Sequence, residues 1–171
     1  MRKFFVMTVF LAMFAASAMA ADYPKAEVFG GYQFTHLEGA GGANGFNFAV
    51  NGNFNDWFGL AFDLGSAYQS VGGVSTNNYT FTFGPVLSLR ANKRYTPFVH
   101  LLAGGDHASA GVSGFSAGAS GFAVLAGGGV DANVNRHLAV RVVQADWMLV
   151  HGSQATSSKN ARLCFGVVFK F

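Results

Sequence analysis

Side chains alternate between two faces with a period of two residues, and the alternation is clearest at the end of the chain. One face of segment 162–171 carries Leu163, Phe165, Val167, Phe169 and Phe171. The other face carries Arg162, Cys164, Gly166, Val168 and Lys170. Because successive side chains of a β-strand point to opposite faces of the sheet, this pattern predicts a strand with one apolar face. Such a strand would promote aggregation at the edge of a soluble sheet, so we expect it to be paired on both sides.

Seven earlier segments show the same alternation, which predicts eight strands in total. They are residues 26–36, 45–54, 57–66, 78–89, 96–106, 121–134 and 138–149. Phe, Leu, Val and Tyr dominate one face of these segments, whereas Asn, Thr, Gly and Asp dominate the other. Each segment is close to the length of about 9–11 residues that a tilted strand needs to cross a membrane. The alternation therefore indicates a sheet whose aromatic face contacts lipid.

The composition distinguishes this sheet from a soluble one. Only 11% of the residues are charged and 51% are hydrophobic, whereas a soluble domain is about 25% charged. The many aromatic residues exclude a disordered chain. A soluble β-sandwich or a lipocalin-like barrel would carry more charge on its outer face. We therefore predict an all-β protein, an eight-stranded antiparallel up-and-down transmembrane β-barrel.

The connections between the segments alternate in length. Residues 55–56, 91–94 and 135–136 are short turns, whereas residues 36–44, 67–77, 107–120 and 150–160 are predicted as longer loops. Bacterial transmembrane barrels have short periplasmic turns and longer outer loops. This pattern, with an even number of strands, places both termini on the periplasmic side.

The first 20 residues have the parts of a secretory signal peptide. Arg2 and Lys3 precede an apolar run over residues 4–16, and Ala18-Met19-Ala20 is a small-x-small cleavage site. We predict a cleaved signal peptide over residues 1–20 and a barrel domain over residues 21–171. Cleavage removes two of the 11 Lys and Arg, which leaves 9 against 8 Asp and Glu. The sequence pI of about 9.2 is therefore no argument for nucleic-acid binding.

The few charged side chains fall mostly inside the strand segments and mostly on the polar face. A mid-membrane Arg or Lys on the lipid face would cost about 2–4 kcal/mol, so we expect these groups to face the lumen. The predicted lumen charge network comprises Glu27, Asp63, Asp106, Asp131, Arg141, Gln144, Asp146 and Arg162. Within it, Arg141 and Arg162 are expected to pair with Asp63, Asp131 or Glu27. A closed ion-pair plug is the favoured role, and a gate over a narrow conduit would use the same residues.

The seventh segment departs from simple alternation. Arg141 and Asp146 are five residues apart, so a regular strand would point them to opposite faces, whereas Gln144 shares a face with Asp146. A β-bulge between Arg141 and Gln144 would bring all three side chains into the lumen.

Besides the signal peptide, the chain contains the motifs Glu27-Val28-Phe29-Gly30-Gly31-Tyr32, Asn55-Asp56-Trp57, Thr96-Pro97-Phe98-Val99-His100, Val143-Gln144-Ala145-Asp146 and Phe169-Lys170-Phe171. Together these features resemble the OmpA-like family of small bacterial outer-membrane β-barrels. The resemblance implies location in the bacterial outer membrane, with lipid and lipopolysaccharide as surroundings. The pattern of Phe165, Val167, Phe169 and Phe171 is similar to the signal read by the barrel-assembly machinery. A closed barrel pairs every strand edge, so a monomer is expected.

Few features of the sequence indicate catalysis or metal binding. His107-Ala108-Ser109 resembles the His-x-Ser pair of the lipid A 3-O-deacylases, but the only glutamates, Glu27 and Glu38, lie far upstream. The lone Cys164 excludes disulfides and a cysteine metal site, and the remaining histidines share no metal-ligand spacing, so no cofactor is predicted.

The favoured function is a non-enzymatic barrel with a structural or surface-interaction role, using loops 107–120 and 150–160 as contact surfaces. The first alternative is a narrow porin-like conduit for ions or small solutes. A lipid A-modifying enzyme is the third hypothesis. The barrel family does not by itself decide among these roles.

Overall fold

The structure is a computed structural model that describes residues 23–38, 41–71, 74–112, 115–152 and 156–171. The predicted signal peptide, residues 1–20, lies outside the described residues. No helix within the described ranges is long and apolar enough to span a membrane. The described residues form eight strands: β1 (Ala26–Leu37), β2 (Gly41–Asn53), β3 (Phe58–Val71), β4 (Val74–Ser88), β5 (Tyr95–Val112), β6 (Phe115–Asn133), β7 (Leu138–Gly152) and β8 (Thr156–Lys170).

The eight strands close into one antiparallel barrel, which confirms the predicted fold class. Each strand pairs with the next along the chain, and β8 pairs with β1. The aromatic face of each strand lies outside, as shown by the exposed rings of Phe46, Phe81 and Phe165. The polar face lines the lumen and is buried. A barrel of eight strands has an interior only wide enough for side chains, so polar residues pack there without bulk water.

Three short turns join the strands at one end of the barrel, called the turn end below: residues 54–57, 89–94 and 134–137. In each turn an asparagine side-chain oxygen accepts a backbone N–H two residues later. Asn55 binds the N–H of Trp57, Asn92 that of Arg94, and Asn135 that of His137, at 2.8–3.0 Å. Asparagine is favoured here because its side chain mimics a backbone turn. The prediction of short turns at these positions is confirmed.

The connections at the opposite end, called the hairpin end, differ from the prediction. Their Gly, Ser, Ala and Asn content predicts loops over residues 36–44, 67–77, 107–120 and 150–160. Most of these residues instead continue the strands, and β5 and β6 pair from Tyr95 with Ala132 as far as Val112 with Phe115. Strand pairing satisfies backbone N–H and C=O groups whatever the side chains are, so turn-like composition did not prevent it.

Both described chain ends lie at the turn end. The main-chain oxygen of Phe171 accepts hydrogen bonds from the N–H groups of Lys25 and Ala26, at 2.7 and 3.2 Å. Phe165, Val167, Phe169 and Phe171 lie on the lipid-facing side of β8 and its end. Their role in assembly remains a prediction, because the geometry shows only their exposure.

The lumen also holds apolar side chains, which form two clusters. One cluster contains Val86, Phe98, Leu102, Leu125 and Met148, and a second contains Phe29, Ala49, Ala139, Cys164 and Val168. One member of each cluster, Phe98 and Phe29, lies against the guanidinium of Arg141. The lumen is therefore packed like a protein core, with polar groups that must find partners inside it.

Candidate functional site in the barrel lumen

Arg162, near the middle of β8, is the centre of the buried charges. Its Nη1 and Nη2 donate to Oδ1 and Oδ2 of Asp63 on β3 at 2.7 and 3.3 Å. Its Nε donates to Oδ2 of Asp146 on β7 at 2.8 Å. The side chain is 1% exposed. Because β1 and β2 separate β8 from β3 in the barrel, the pair with Asp63 crosses the lumen.

Asp146 connects this pair to the rest of the network. Its Oδ1 lies 2.8 Å from Nε2 of His100 on β5, and its Oδ2 accepts from Nε2 of Gln144 at 2.8 Å. Gln144 in turn accepts from Nη1 of Arg141 at 2.7 Å. Arg141 donates through Nε and Nη2 to the carboxylate of Asp131 at 2.8 and 3.1 Å. A continuous chain of hydrogen bonds thus joins β3, β5, β6, β7 and β8.

A β-bulge in β7 allows these side chains to point into the lumen together. The pairing of β7 with β8 shifts register between Arg141 and Gln144, and the pairing of β6 with β7 shifts beside Asp131. Val142 and Val143 are 57% and 45% exposed, so two successive side chains face outward. The predicted bulge is confirmed, because Arg141, Gln144 and Asp146 are all buried.

Small residues and aromatic rings complete the surroundings of the two guanidinium groups. The Arg141 guanidinium carbon lies 4.4 Å from the ring centroid of Phe29 and 4.2 Å from that of Phe98. Such contacts stabilise a cation that has left water. A Cβ at Gly65 would lie 2.5 Å from Oγ1 of Thr80, 2.8 Å from Oε1 of Gln33 and 3.3 Å from Nη1 of Arg162. Glycine at this position therefore makes room for the lumen side chains that surround the central guanidinium.

Two of the eight predicted network residues lie elsewhere. The predicted pairing of Arg162 and Arg141 is met by Asp63 and Asp131. Glu27, the third predicted partner, instead pairs at the turn end with Arg90 at 3.1 Å and Lys170 at 3.8 Å. Asp106 accepts from Asn78 at 2.6 Å towards the hairpin end. Both carboxylates lie on the lumen face of their strands. The stagger of the strands, however, places them closer to one end of the barrel than Arg141 and Arg162 are.

The network also includes partners that the sequence analysis left out. Asn47 donates to both carboxylate oxygens of Asp63, at 3.0 and 3.1 Å. His100 contacts Asp146, and its location on the polar face of segment 96–106 was the available signal. The two guanidinium groups face three carboxylates, and the imidazole of His100 is a further hydrogen-bond partner of one of them, Asp146.

No group of three or more potential ligands among the described residues could hold a metal ion. In the His107-Ala108-Ser109 motif, which resembles a His-x-Ser pair only weakly, the histidine contacts a different serine. Nδ1 of His107 instead lies 2.9 Å from Oγ of Ser120, its partner across the β5–β6 ladder.

A family model for the outer membrane protein β-barrel domain matches residues 6–171. The chain belongs to this family. The match covers nearly the whole chain and locates this barrel in the bacterial outer membrane. No curated protein sequence matches it significantly.

Solved structures of other outer-membrane barrels share the fold of this family member. Ail, the attachment invasion locus protein of Yersinia pestis, has 18% identity and a TM-score of 0.61, covering 87% of this chain and 99% of Ail. Neisserial surface protein A has 14% identity and a TM-score of 0.69, covering 85% and 96%. The N-terminal barrel domain of Pseudomonas aeruginosa OprF has 13% identity and a TM-score of 0.59, covering 88% and 100%.

Proposed function

We propose that this outer-membrane barrel is a non-enzymatic protein with a side-chain-filled lumen, which acts through surfaces at its hairpin end. The observation that carries the proposal is the bridge from Arg162 to Asp63 across the lumen. Both side chains are almost fully buried, and Asp146 and Asn47 hold the bridge from its two sides. A charged group fixed in this way blocks passage, because moving it would leave buried charges without partners.

The hairpin end is the surface that this barrel presents outside the cell, since short turns face the periplasm in bacterial barrels. The β5–β6 hairpin is formed by the two longest strands. Of the described residues at the hairpin end, it therefore offers the longest paired surface. Ail, whose name describes attachment and invasion, has also been crystallised with the heparin analogue sucrose octasulfate. This likeness supports a surface-interaction role for this chain.

The charges at the hairpin end argue against a strongly anionic partner such as heparin. Within the described residues, Lys159 is the one Lys or Arg at that end, and it already pairs with Glu38 at 3.5 Å. The exposed groups of the β5–β6 hairpin are mainly Gly, Ala and Ser with His107. We therefore favour a partner recognised by shape and hydrogen bonds over one recognised by charge.

Reconstitution in a planar lipid bilayer tests lumen closure. The barrel is expected to show no steady conductance steps, whereas Arg162→Ala, which removes the side chain that spans the lumen, is expected to show them. Steady steps from the unchanged protein would refute the closed lumen and support the narrow-conduit alternative. Slower migration after boiling on a denaturing gel verifies that each inserted protein is a folded barrel.

The lipid A-modifying alternative has a separate assay. The protein is incubated with lipid A beside Ser109→Ala and Ser120→Ala, because the serine bonded to His107 is Ser120 rather than Ser109. We expect no released acyl chain from any of the three. Release that is lost only in Ser120→Ala would contradict the non-enzymatic proposal and identify the nucleophile.

A further inference from the structure

A polar cavity opens at the turn end, apart from the hydrogen-bonded chain around Arg162 and Arg141. Its volume is about 830 Å³, within the range of about 300–1,000 Å³ of small-molecule sites. The start of the described chain, the turns 89–94 and 134–137 and the end of β8 surround it. Its cationic lining consists of Arg90, Lys93, Arg136 and Lys170, together with His137.

The acidic groups near this cavity already have partners. No Asp or Glu lines the cavity within the part of the chain that the structure describes. Glu27 bonds to Arg90 at 3.1 Å, with Lys170 at 3.8 Å. The main-chain oxygen of Phe171 accepts the N–H groups of Lys25 and Ala26. The four cationic side chains of the lining outnumber the one side-chain carboxylate that pairs with them, which leaves an excess of positive charge.

Several donors on this lining remain available. Lys93 and Arg136 are exposed, and neither forms an ion pair with another described residue. The Nε atom of Arg90 is buried and has no hydrogen-bond partner among the described residues. A buried donor without a partner costs free energy, so the Arg90 guanidinium is incompletely satisfied at the wall of the cavity.

We propose that this cavity binds a multivalent oxyanion, a small molecule that carries two or more phosphate or carboxylate groups, at the periplasmic face of the barrel. Guanidinium groups match both kinds of oxyanion through paired N–H donors. A cleft lined by one sign of charge concentrates its field and raises the local concentration of the opposite ion. The cavity is larger than a single phosphate needs, which favours a ligand with several anionic groups.

Isothermal titration calorimetry on the barrel purified in a nonionic detergent tests this proposal. Pyrophosphate is the phosphate probe and citrate is the carboxylate probe, both titrated at low ionic strength. We expect saturable binding of at least one probe, one molecule per barrel, that weakens as salt is added. Lys93→Glu and Arg136→Glu should each weaken it about tenfold or more, because each removes a charge-assisted contact and adds repulsion.

Lys159→Glu is the matched control, since it makes the same change in net charge at the hairpin end. Its affinity should stay within about twofold of the unchanged protein, because the two ends are separated by more than a screening length. Lys93→Gln serves as a milder variant if Lys93→Glu fails to show heat-modifiable migration.

The relative affinities of the two probes distinguish a phosphate-bearing ligand from a carboxylate-bearing one, and two results would overturn the proposal. Tighter binding of pyrophosphate supports a phosphate-bearing ligand, and tighter binding of citrate supports a carboxylate-bearing one. The proposal is overturned if neither probe saturates up to about 10 mM, well above the useful range for a small-molecule site. It is also overturned if Lys159→Glu weakens binding as much as Lys93→Glu does, because the effect would then be one of overall charge.

Discussion

Replacing Arg162 by Met should destabilise the barrel strongly while preserving its packing. Methionine is unbranched and flexible and fills much of the same space, so the main change is loss of the guanidinium. Arg162 holds Asp63 at 2.7 Å and Asp146 at 2.7 Å, and all three side chains are almost fully buried. Removing one partner of a buried ion pair costs about 3–5 kcal/mol, a large share of the roughly 5–15 kcal/mol that stabilises a domain.

Reversible urea unfolding of the barrel in lipid vesicles measures this loss. Trp57 and Trp147 are both exposed on the lipid-facing surface, so their fluorescence reports transfer from lipid to water. We expect the free energy of unfolding to fall by about 3–5 kcal/mol in Arg162→Met. Asp63 keeps its bonds to Asn47, and Asp146 keeps those to His100 and Gln144, so a native barrel should still form.

Lys159→Met is the matched control for this measurement. Lys159 also forms an ion pair, at 3.5 Å from Glu38, but its side chain is 82% exposed. Solvent-exposed pairs contribute about 0–1 kcal/mol, so the control should change little. If Arg162→Met loses no more stability than Lys159→Met, then the lumen charge network is not what holds these strands together, and the reasoning from burial fails.

Two further predictions concern the packing around Asp146 and the orientation of the barrel. A Cβ at Gly127 would overlap Oδ1 of Asp146, whereas one at Gly30 would meet open space. Gly127→Ala should therefore lower the free energy of unfolding by about 1–3 kcal/mol, and Gly30→Ala should leave it nearly unchanged. In intact cells, a membrane-impermeant maleimide should label Lys159→Cys but not Lys93→Cys, because the hairpin end faces outward. The native Cys164 is buried and should give no background signal; labelling of Lys93→Cys alone would mean that the barrel is inserted the other way.

The charged residues show which parts of the site can be predicted from the sequence and which cannot. Alternation assigned Asp63, Arg162 and Asp146 to the lumen, and the spacing of Arg141 and Asp146 required a bulge that the structure contains. Sequence reasoning could not assign Glu27, which bonds to Arg90 instead of the central arginines. Which charges meet depends on the relative heights of strands that are far apart in sequence, and local alternation carries no information about that height.

The connections at the hairpin end show a second limit. Segment 107–120 has the composition of a loop, yet its described residues, 107–112 and 115–120, continue β5 and β6 as a paired ladder. Gly, Ala and Ser disfavour an isolated strand only weakly, and a growing antiparallel ladder supplies hydrogen bonds that outweigh this preference. The predicted turns at the other end were correct because each contains an asparagine that caps its own turn, which is a local property.

The sequence by itself determined the number of strands, the face of each that contacts lipid and the need for a closed barrel. These follow from a period of two residues, and the period can be read without knowing what any strand pairs with. Only the tertiary structure decided that Arg162 bridges to Asp63 across the lumen, and that four cations surround a cavity at the turn end. Closure sets the stagger of all eight strands at once, so contacts across the lumen are a property of the whole barrel and not of any segment.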